Sequence, residues 1–454
     1  MAALESQHAS RRVIAALDEI DLRALSRTVT DDLRERKVTF GAADNGDVEA
    51  FVVDPVPRVI ERDDWDTLAA GLAQRVEALD RFVADVYGEH RIFAAGRVPW
   101  SAVESAEYFE PRMAQLRPAS GRWIAIAGLD LVRDGDGPFA VLEDNVRTPS
   151  GIAYAVAARD ALSGHLSVPA GMRVRSLEPA YALLGEALRA AAPPEAGDDP
   201  SVVVLTDGPS NTAYYEHGEI ARQLGLPLVQ LGDLIVRSRR LFACTDGRVI
   251  PVDVVYRRTD EDRLFDAAGA LTAVARVLLG PLEAQTLGCA NAFGTGVADD
   301  KLVHAYVEEM VRFYLDEEPL LGSVPTYDVS QPEVLEMVLD RIGELVIKPR
   351  SGYGGIGVIV GPRADRQSLA AASRELAAAP ERFIAQETVH LSRQPTVCGG
   401  ELEPRHVDLR PFTFAVGDRV EVFPGGLTRV ALERGSLVVN SSQRGGAKDT
   451  WVLA

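Results

Sequence analysis

Apolar residues at Leu68, Leu72, Val76, Leu79, Phe82 and Val83 are spaced at threes and fours, the period of a helix with one buried face. Comparable helical patterns run through residues 11–110. The pattern changes at WIAIAGLDLV (Trp123–Val132), whose alternation and β-branching predict a strand. Asp134-Gly-Asp-Gly-Pro138 reads as a turn and PFAVLED (Pro138–Asp144) as a second strand, so the two predict a hairpin. A helical stretch continues to about Ala192, and AAPPEAGDDP (191–200) reads as a linker. SVVVLTDGPSN then predicts a buried strand and a turn, followed by an amphipathic helix over Ala213–Leu224. LPLVQLGDL and VDVVYRR continue this alternation, which implies a small parallel sheet. A helix is expected from Asp299 to about Leu315, and LVIKP opens a mixed α+β region that runs to the end.

Composition narrows the class. The 454 residues are 46% hydrophobic and 25% charged, with a formal charge of −19, the balance of a multi-domain globular protein. So acidic a chain is a poor partner for nucleic acid or an anionic membrane, both of which need a basic face. Cys244, Cys289 and Cys398 are odd in number and far apart, which suggests neither disulfides nor a zinc knuckle. The N-terminal residues lack the apolar core of a signal peptide, and no apolar run nears the ~20 residues that span a bilayer. A cytoplasmic protein is expected. Of the 48 basic residues only Lys37, Lys301, Lys348 and Lys448 are lysine. In such a chain a retained lysine suggests a need for a compact point charge on a thin stem; for Lys301 and Lys348 the neighbouring residues support this, whereas Lys37 reads as chance.

Four stretches carry candidate chemistry. LVIKPRSGYGGIGVIV (345–360) is strand, Lys348, a loop with Gly352, Tyr353, Gly354, Gly355 and Gly357, then strand. It has neither the P-loop pattern nor the helix of a dinucleotide fingerprint. A glycine loop between strands can fold over phosphates with unobstructed N–H groups; the alternative is a plain glycine-rich hairpin. VLEDNVRTPSG (141–151) places Glu143 and Asn145 on one strand face, a hard-oxygen pair suited to Mg²⁺. Asp130 on the partner strand could face them, Asp144 should point away, and Arg147 could meet a phosphate; alternatively this is a strand end with polar turn residues. RHVDLRPFTFAV (405–416) puts Asp408 and Arg410 on one face of a buried strand, either as an internal ion pair or engaged with a ligand, and Arg429 lies in a similar strand. FIAQETV (383–389) runs into Gln386 and Glu387, where Glu387 could meet a ribose while the backbone reads an adenine edge.

Taken together, these stretches resemble the ATP-grasp enzymes in a permuted order. DDKLVHAYV supplies a first lysine, Lys301; VIKPRSGYGGIGV supplies Lys348; AQE supplies Glu387; and VDLRPF supplies Asp408 and Arg410. NSSQRGG, which begins at Asn440, resembles a stretch of the ribosomal-protein glutamate ligases. The Gly-x-Asp hairpin with Glu-x-Asn, normally last, lies at residues 128–151, and moving it behind residue 454 restores the usual order. The chain resembles the bacterial circularly permuted ATP-grasp family, related in fold to glutathionylspermidine synthetase. One departure is Ser150-Gly151 after Pro149, where many ligases have Pro-Gly directly.

The resemblance implies an α/β and α+β ATP-grasp fold in four parts: a helical N-terminal region (1–110), the permuted part with the metal hairpin (111–192), an α/β pre-ATP-grasp domain (200–298) and the main part (299–454). ATP is implied as cofactor, bound by Lys301, Lys348, Gly352, Tyr353, Gly354, Gly355, Gln386, Glu387 and Asp408. Mg²⁺, with Mn²⁺ as an alternative, is implied on Asp130, Glu143 and Asn145, and Arg410, Arg147 and Arg429 are implied to act on the phosphates. The implied activity is carboxylate–amine ligation through an acylphosphate, with ADP and phosphate released and small-molecule or peptide substrates. A small-molecule phosphotransferase is the alternative, and a non-catalytic nucleotide-binding scaffold the third. Ser210, Asn211 and Glu216 are candidate substrate-side residues. Arg257 and Arg258 either hold a substrate carboxylate or form a surface ion-pair cluster.

Overall fold

The computed structural model describes residues 8–41, 49–135, 137–261, 263–266, 268–352, 357–436, 439 and 445–454. Two helices, α1 (His8–Leu17) and α2 (Leu22–Glu35), open the chain. Asp21 caps α2 by accepting from Ala24 N at 2.9 Å. Strand β1 (Val53–Ile60) follows, buried along its whole length, and then helix α3 (Arg62–Val86). The region expected to be helical therefore also supplies a strand. Pro55 and Pro57 hide it from sequence reading, since proline argues against a central strand; β1 takes the sheet edge, where proline is tolerated. The apolar stripe of α3 behaves as its spacing predicts: Leu68, Leu72, Val76, Leu79, Phe82 and Val83 are all buried, each contributing roughly 1.5–3 kcal/mol.

The expected strand Trp123–Val132 is instead two short strands, β2 (Ile126–Gly128) and β3 (Asp130–Arg133). The hairpin is as expected: β3 pairs antiparallel with β4 (Phe139–Glu143), with a bulge between Asp130 and Leu131. Helices α4 (Ile152–Ser163) and α5 (Pro179–Ala190) follow. The expected parallel sheet comes next. It is built from β5 (Val202–Thr206), β6 (Leu228–Val229), β7 (Val254–Arg258) and β8 (Gly288–Ala290), in the order β8-β7-β5-β6, with helix α6 (Tyr214–Leu224) after β5.

The helix expected from Asp299 is α-helical only at α7 (Val307–Leu315); 3-10 turns at Thr295–Ala298 and Val303–Tyr306 precede it. Asp300 helps set this irregular entry by accepting from Leu302 N at 2.8 Å. Strands β9 (Gly322–Ser323), β10 (Thr326–Tyr327), β11 (Leu345–Pro349), β12 (Ile359–Val360) and β13 (Phe383–Glu387) follow, and β10-β13-β11-β12 form a small antiparallel sheet. The strands expected on either side of the glycine-rich segment after Lys348 are thus present. The chain ends in β14 (Arg393–Cys398), β15 (Glu401–Arg410), β16 (Phe412–Val416), β17 (Arg419–Val422), β18 (Leu427–Val430) and β19 (Gly446–Val452).

The central sheet runs β9-β4-β3-β15-β18-β19-β1, with β14 also on β15. The early hairpin is built into it, since Leu131 pairs with Leu409, while β2 joins β16 at Gly128 and Phe412. The two-strand split follows from this: each half pairs with a different partner strand, and those partners are separated at Pro411, which has no N–H to continue a ladder. Among the described residues no helix is long and apolar enough to cross a membrane.

Candidate functional site

The small sheet and the central sheet meet at the ends of β11 and β4. Lys348 Nζ lies 3.4 Å from Glu143 Oε1, although 205 residues separate them. Lys301, in the irregular turn before α7, donates to Gly352 O at 2.9 Å and Arg350 O at 3.3 Å, which pins the entry to the glycine loop. Gly352 sits at φ +98, a conformation side chains rarely adopt. Gln386 donates from Nε2 to Thr326 Oγ1 at 2.9 Å and lies 3.4 Å from Leu142 O. Glu143, Lys301, Lys348 and Gln386, with Asp144, Asp299 and His304, line a small cleft. Burial pushes the Lys348 ammonium down from its ordinary value and Lys301 adds to this, while Glu143 pulls the other way.

A second constellation lies beside it on β3, β15 and β18. Arg410 forks onto Asp130 at 2.6 and 2.8 Å and reaches Ser150 O at 3.2 Å. Arg429 faces Asp408 across the ladder, donates to it from Nε at 2.8 Å, and places Nη2 2.9 Å from Asp130. Asp408 and Arg410 share a strand face but are not each other's partner; each takes a charge from a neighbouring strand. Burial alone would raise the Asp130 carboxyl, but Arg410 and Arg429 outweigh it and hold it at about 2. Burial keeps Asp408 above its ordinary value despite Arg429. Removing both charges of such a pair is often nearly neutral; removing one strands the other.

The donor set fits a hard divalent cation only in part. Glu143 is partly exposed, with 35% of its side chain accessible, and Asn145 Nδ2 is buried without a hydrogen-bond partner. Asp130 in this geometry spends its oxygens on two arginines. Among the described residues no three His, Cys, Asp or Glu side chains gather as a metal site, so nucleotide phosphates and water would have to complete an octahedral shell. Arg147 donates to Asp299 at 2.8 Å and lies 3.8 Å over the Tyr108 ring. Glu387 is held by Tyr327 Oη at 2.6 Å and Arg341 Nη2 at 3.1 Å, which keep its carboxyl below the ordinary value. Tyr353, Gly354, Gly355 and Asn440 lie outside the described residues.

A family model described as circularly permuted ATP-grasp type 2 matches residues 57–431. The chain belongs to this family. This circularly permuted ATP-grasp protein is 47% identical over 423 residues to a Frankia casuarinae protein named "Putative glutamate--cysteine ligase 2-2", covering 92% of this chain and 48% of that one. It spans about half the length of that relative. An uncharacterized Mycobacterium leprae protein is 43% identical over 446 residues, covering 97% of this chain and 79% of the other. In solved structures, a glutathione synthetase-like effector from Globodera pallida, in its apo form, aligns at a TM-score of 0.63 and 12% identity, over 96% of this chain and 98% of that one. That likeness bears on the fold.

The permuted ATP-grasp protein also orders the loop after β4. Gly151 N and Ala153 N donate to Glu216 at 2.8 and 3.0 Å, so this acid caps α4. Arg258 donates to Pro149 O at 2.9 Å and to Ser150 Oγ, and pairs with Glu216 at 3.1 Å. Arg257 donates to Asn291 O at 3.1 Å and lies 3.9 Å over the Phe293 ring. The reading of Arg257 and Arg258 as a surface cluster is overturned, since they are 1% and 3% exposed. Asn211 bridges toward Asp260 at 3.0 Å, and Ser210 Oγ is 3.4 Å from Asp207 O.

Sequence reasoning missed Arg75 and His304. Asp144, just past the end of β4, meets Arg75 at 2.7 and 2.8 Å and His304 Nδ1 at 2.6 Å. Burial would raise the Asp144 carboxyl, but Arg75 and then His304 drive it far below its ordinary value. One signal was available: Arg75 interrupts the apolar stripe of α3 between Leu72 and Leu79, and a charge on a buried face implies a buried partner.

Proposed function

We propose that the protein is an ATP- and Mg²⁺-dependent carboxylate–amine ligase. The observation that carries this is the meeting of Lys348 with Glu143, backed by Lys301 at the loop entry: two point charges suited to phosphates beside a carboxylate suited to a metal. Family membership supports the nucleotide half of the reading. Lys301 and Lys348 would neutralise the phosphates, with Gly352, Tyr353, Gly354 and Gly355 covering them and Gln386 and Glu387 on the nucleoside side. Glu143 and Asn145, with Asp130 if it releases an arginine, would hold a divalent cation that lowers the charge on the transferring phosphoryl group. Arg410, Arg429 and Arg147 would stabilise charge during transfer, with Asp408 holding Arg429 in place. Such chemistry is mostly positioning and electrostatics.

A substrate carboxylate would take the γ-phosphoryl group as an acylphosphate, and an amine would then displace phosphate to give an amide. The Frankia relative's name makes glutamate and cysteine the first substrates to try. Ser210, Asn211 and Glu216 lie on the segment that meets the Pro149–Gly151 loop, where an acceptor would approach. The test is ADP release from purified protein with ATP and Mg²⁺ against pools of amino acids, peptides and polyamines. ADP release that needs both a carboxylate and an amine, with an amide product, is expected. A phosphorylated product formed without an amine would establish a phosphotransferase instead.

A further inference from the structure

His304 is 3% exposed, lines the cleft with Lys301, Lys348 and Glu143, and stands in the DDKLVHAYV stretch that supplies Lys301 without a role of its own so far. Its two ring nitrogens have different fates. Nδ1 lies 2.6 Å from Asp144 Oδ2, with Arg75 Nη2 3.2 Å away. Arg75 has no lone pair and Asp144 is an acceptor, so at 2.6 Å the proton belongs on Nδ1 and is donated to Asp144. Arg75 already forks onto the same carboxylate at 2.7 and 2.8 Å and donates to Ser323 Oγ at 2.9 Å. The imidazole is therefore held in orientation from behind, as a carboxylate commonly fixes a functional histidine. Nε2, on the opposite edge of the ring, is buried and has no hydrogen-bond partner. A buried polar atom left unsatisfied costs roughly 1–3 kcal/mol. A ring fixed by Asp144, itself held by Arg75, in a residue that lines the cleft and with its second nitrogen buried and unpaired, is the arrangement expected of an atom whose partner arrives with the ligand.

We propose that His304 is a ligand-contacting residue of the cleft, whose Nε2 hydrogen-bonds the phosphate end of the bound metal–nucleotide while Asp144 and Arg75 orient the ring. This rests on the nucleotide reading of the cleft. Nε2 can serve that ligand in two ways: protonated, it donates to a phosphate oxygen; neutral, it accepts from a water on the cation. Either way the same atom meets the same ligand. The relay also gives the N-terminal helical region a part in the site, because Arg75 is on α3.

Two measurements test this. In protein carrying ¹⁵N-labelled histidine, the Nε2 resonance of His304 should shift on addition of Mg²⁺ and a non-hydrolysable ATP analogue, and its position would separate the donor from the acceptor form. With seven histidines in the chain, assignment follows from the peak lost in His304→Asn, or in His304→Gln if the first variant does not fold. The second measurement is calorimetric. Asparagine keeps a donor where Nδ1 was but presents nothing where Nε2 was; glutamine does the reverse. His304→Asn should bind the analogue at least fivefold more weakly at unchanged thermal stability, with His304→Gln recovering part of that affinity. If the wild type binds the analogue, yet His304 Nε2 does not move and His304→Asn binds equally well, His304 is structural and the proposal is overturned. If the wild type itself does not bind, the nucleotide reading has failed instead.

Discussion

Lys348 Nζ and Glu143 Oε1 stand 3.4 Å apart, one from a strand of the small sheet and the other from the central sheet. The two charges satisfy each other across that gap. Under the proposed function, ATP binding would exchange the lysine's partner for a phosphate and the carboxylate's for a cation. Lys348→Ala is expected to weaken Mg·ATP binding roughly 10–100-fold, the worth of one hydrogen bond to a charged group. Glu143→Gln is expected to hold ATP better than Lys348→Ala but to lose turnover. Lys348→Arg should not rescue, because a planar guanidinium does not fit where a thin stem enters a buried site. Calorimetry and ADP release on the three variants check this; near wild-type ADP formation by Glu143→Gln would remove Glu143 from the metal assignment.

The Asp408–Arg429 pair makes a stability prediction. Asp408→Ala leaves Arg429 buried with Asp130 alone, already shared with Arg410, and should cost about 3–5 kcal/mol in urea unfolding. The double variant Asp408→Leu with Arg429→Met should recover much of that loss, since a pair removed together strands no charge. A double variant no more stable than the single one would show that these groups do not act as a pair.

Glu216 joins two segments by capping α4 and pairing with Arg258. Glu216→Gln keeps one acceptor but loses the charge at the helix start and against Arg258. We expect a loss of about 2 kcal/mol, with faster amide exchange at Gly151 and Ala153. Unchanged exchange at those two amides would contradict the cap.

His217 gives a pH dependence. Burial, then Arg258, takes its imidazole from the ordinary 6.5 down to about 2, and Thr206 Oγ1 lies 2.9 Å from Nδ1. A base whose pKa is depressed on folding stays neutral in the native state and charges in the unfolded one. Its contribution is therefore complete above pH 6.5 and is lost as pH falls from there toward the native value. Stability should drop by about 1.4 kcal/mol per pH unit below 6 from this group alone. The difference between wild type and His217→Gln, followed from pH 7 to 5, should show that slope; parallel profiles would refute it.

Much of the site was legible in sequence because it depends on local period and on residue type. A strand repeats every two residues, and β3 and β4 pair as the hairpin that the alternation and the glycine-rich turn predict. The glycines after Lys348 excluded a helix there, and β11 and β12 are strands. The apolar spacing of α3 was equally plain. These features are settled by neighbours a few positions apart, whose interactions exist before any tertiary contact does.

Partners across the chain were a different matter. Asp144 meets Arg75 and His304 across 69 and 160 residues, and nothing local selects these from the chain's 48 basic residues and seven histidines. Asp408 prefers Arg429 to Arg410 because antiparallel register sets Arg429 opposite it, whereas side chains two apart on one strand run side by side. The strand Val53–Ile60 exists because Gly446–Val452 offers it an edge, against the advice of its two prolines. The sequence by itself determined which charged and polar groups the protein carries, and at what spacing along each strand. Only the packing of sheet on sheet decided which of those charges neutralise one another and which are left facing the cleft, because a buried charge takes its partner from the strands folded against it.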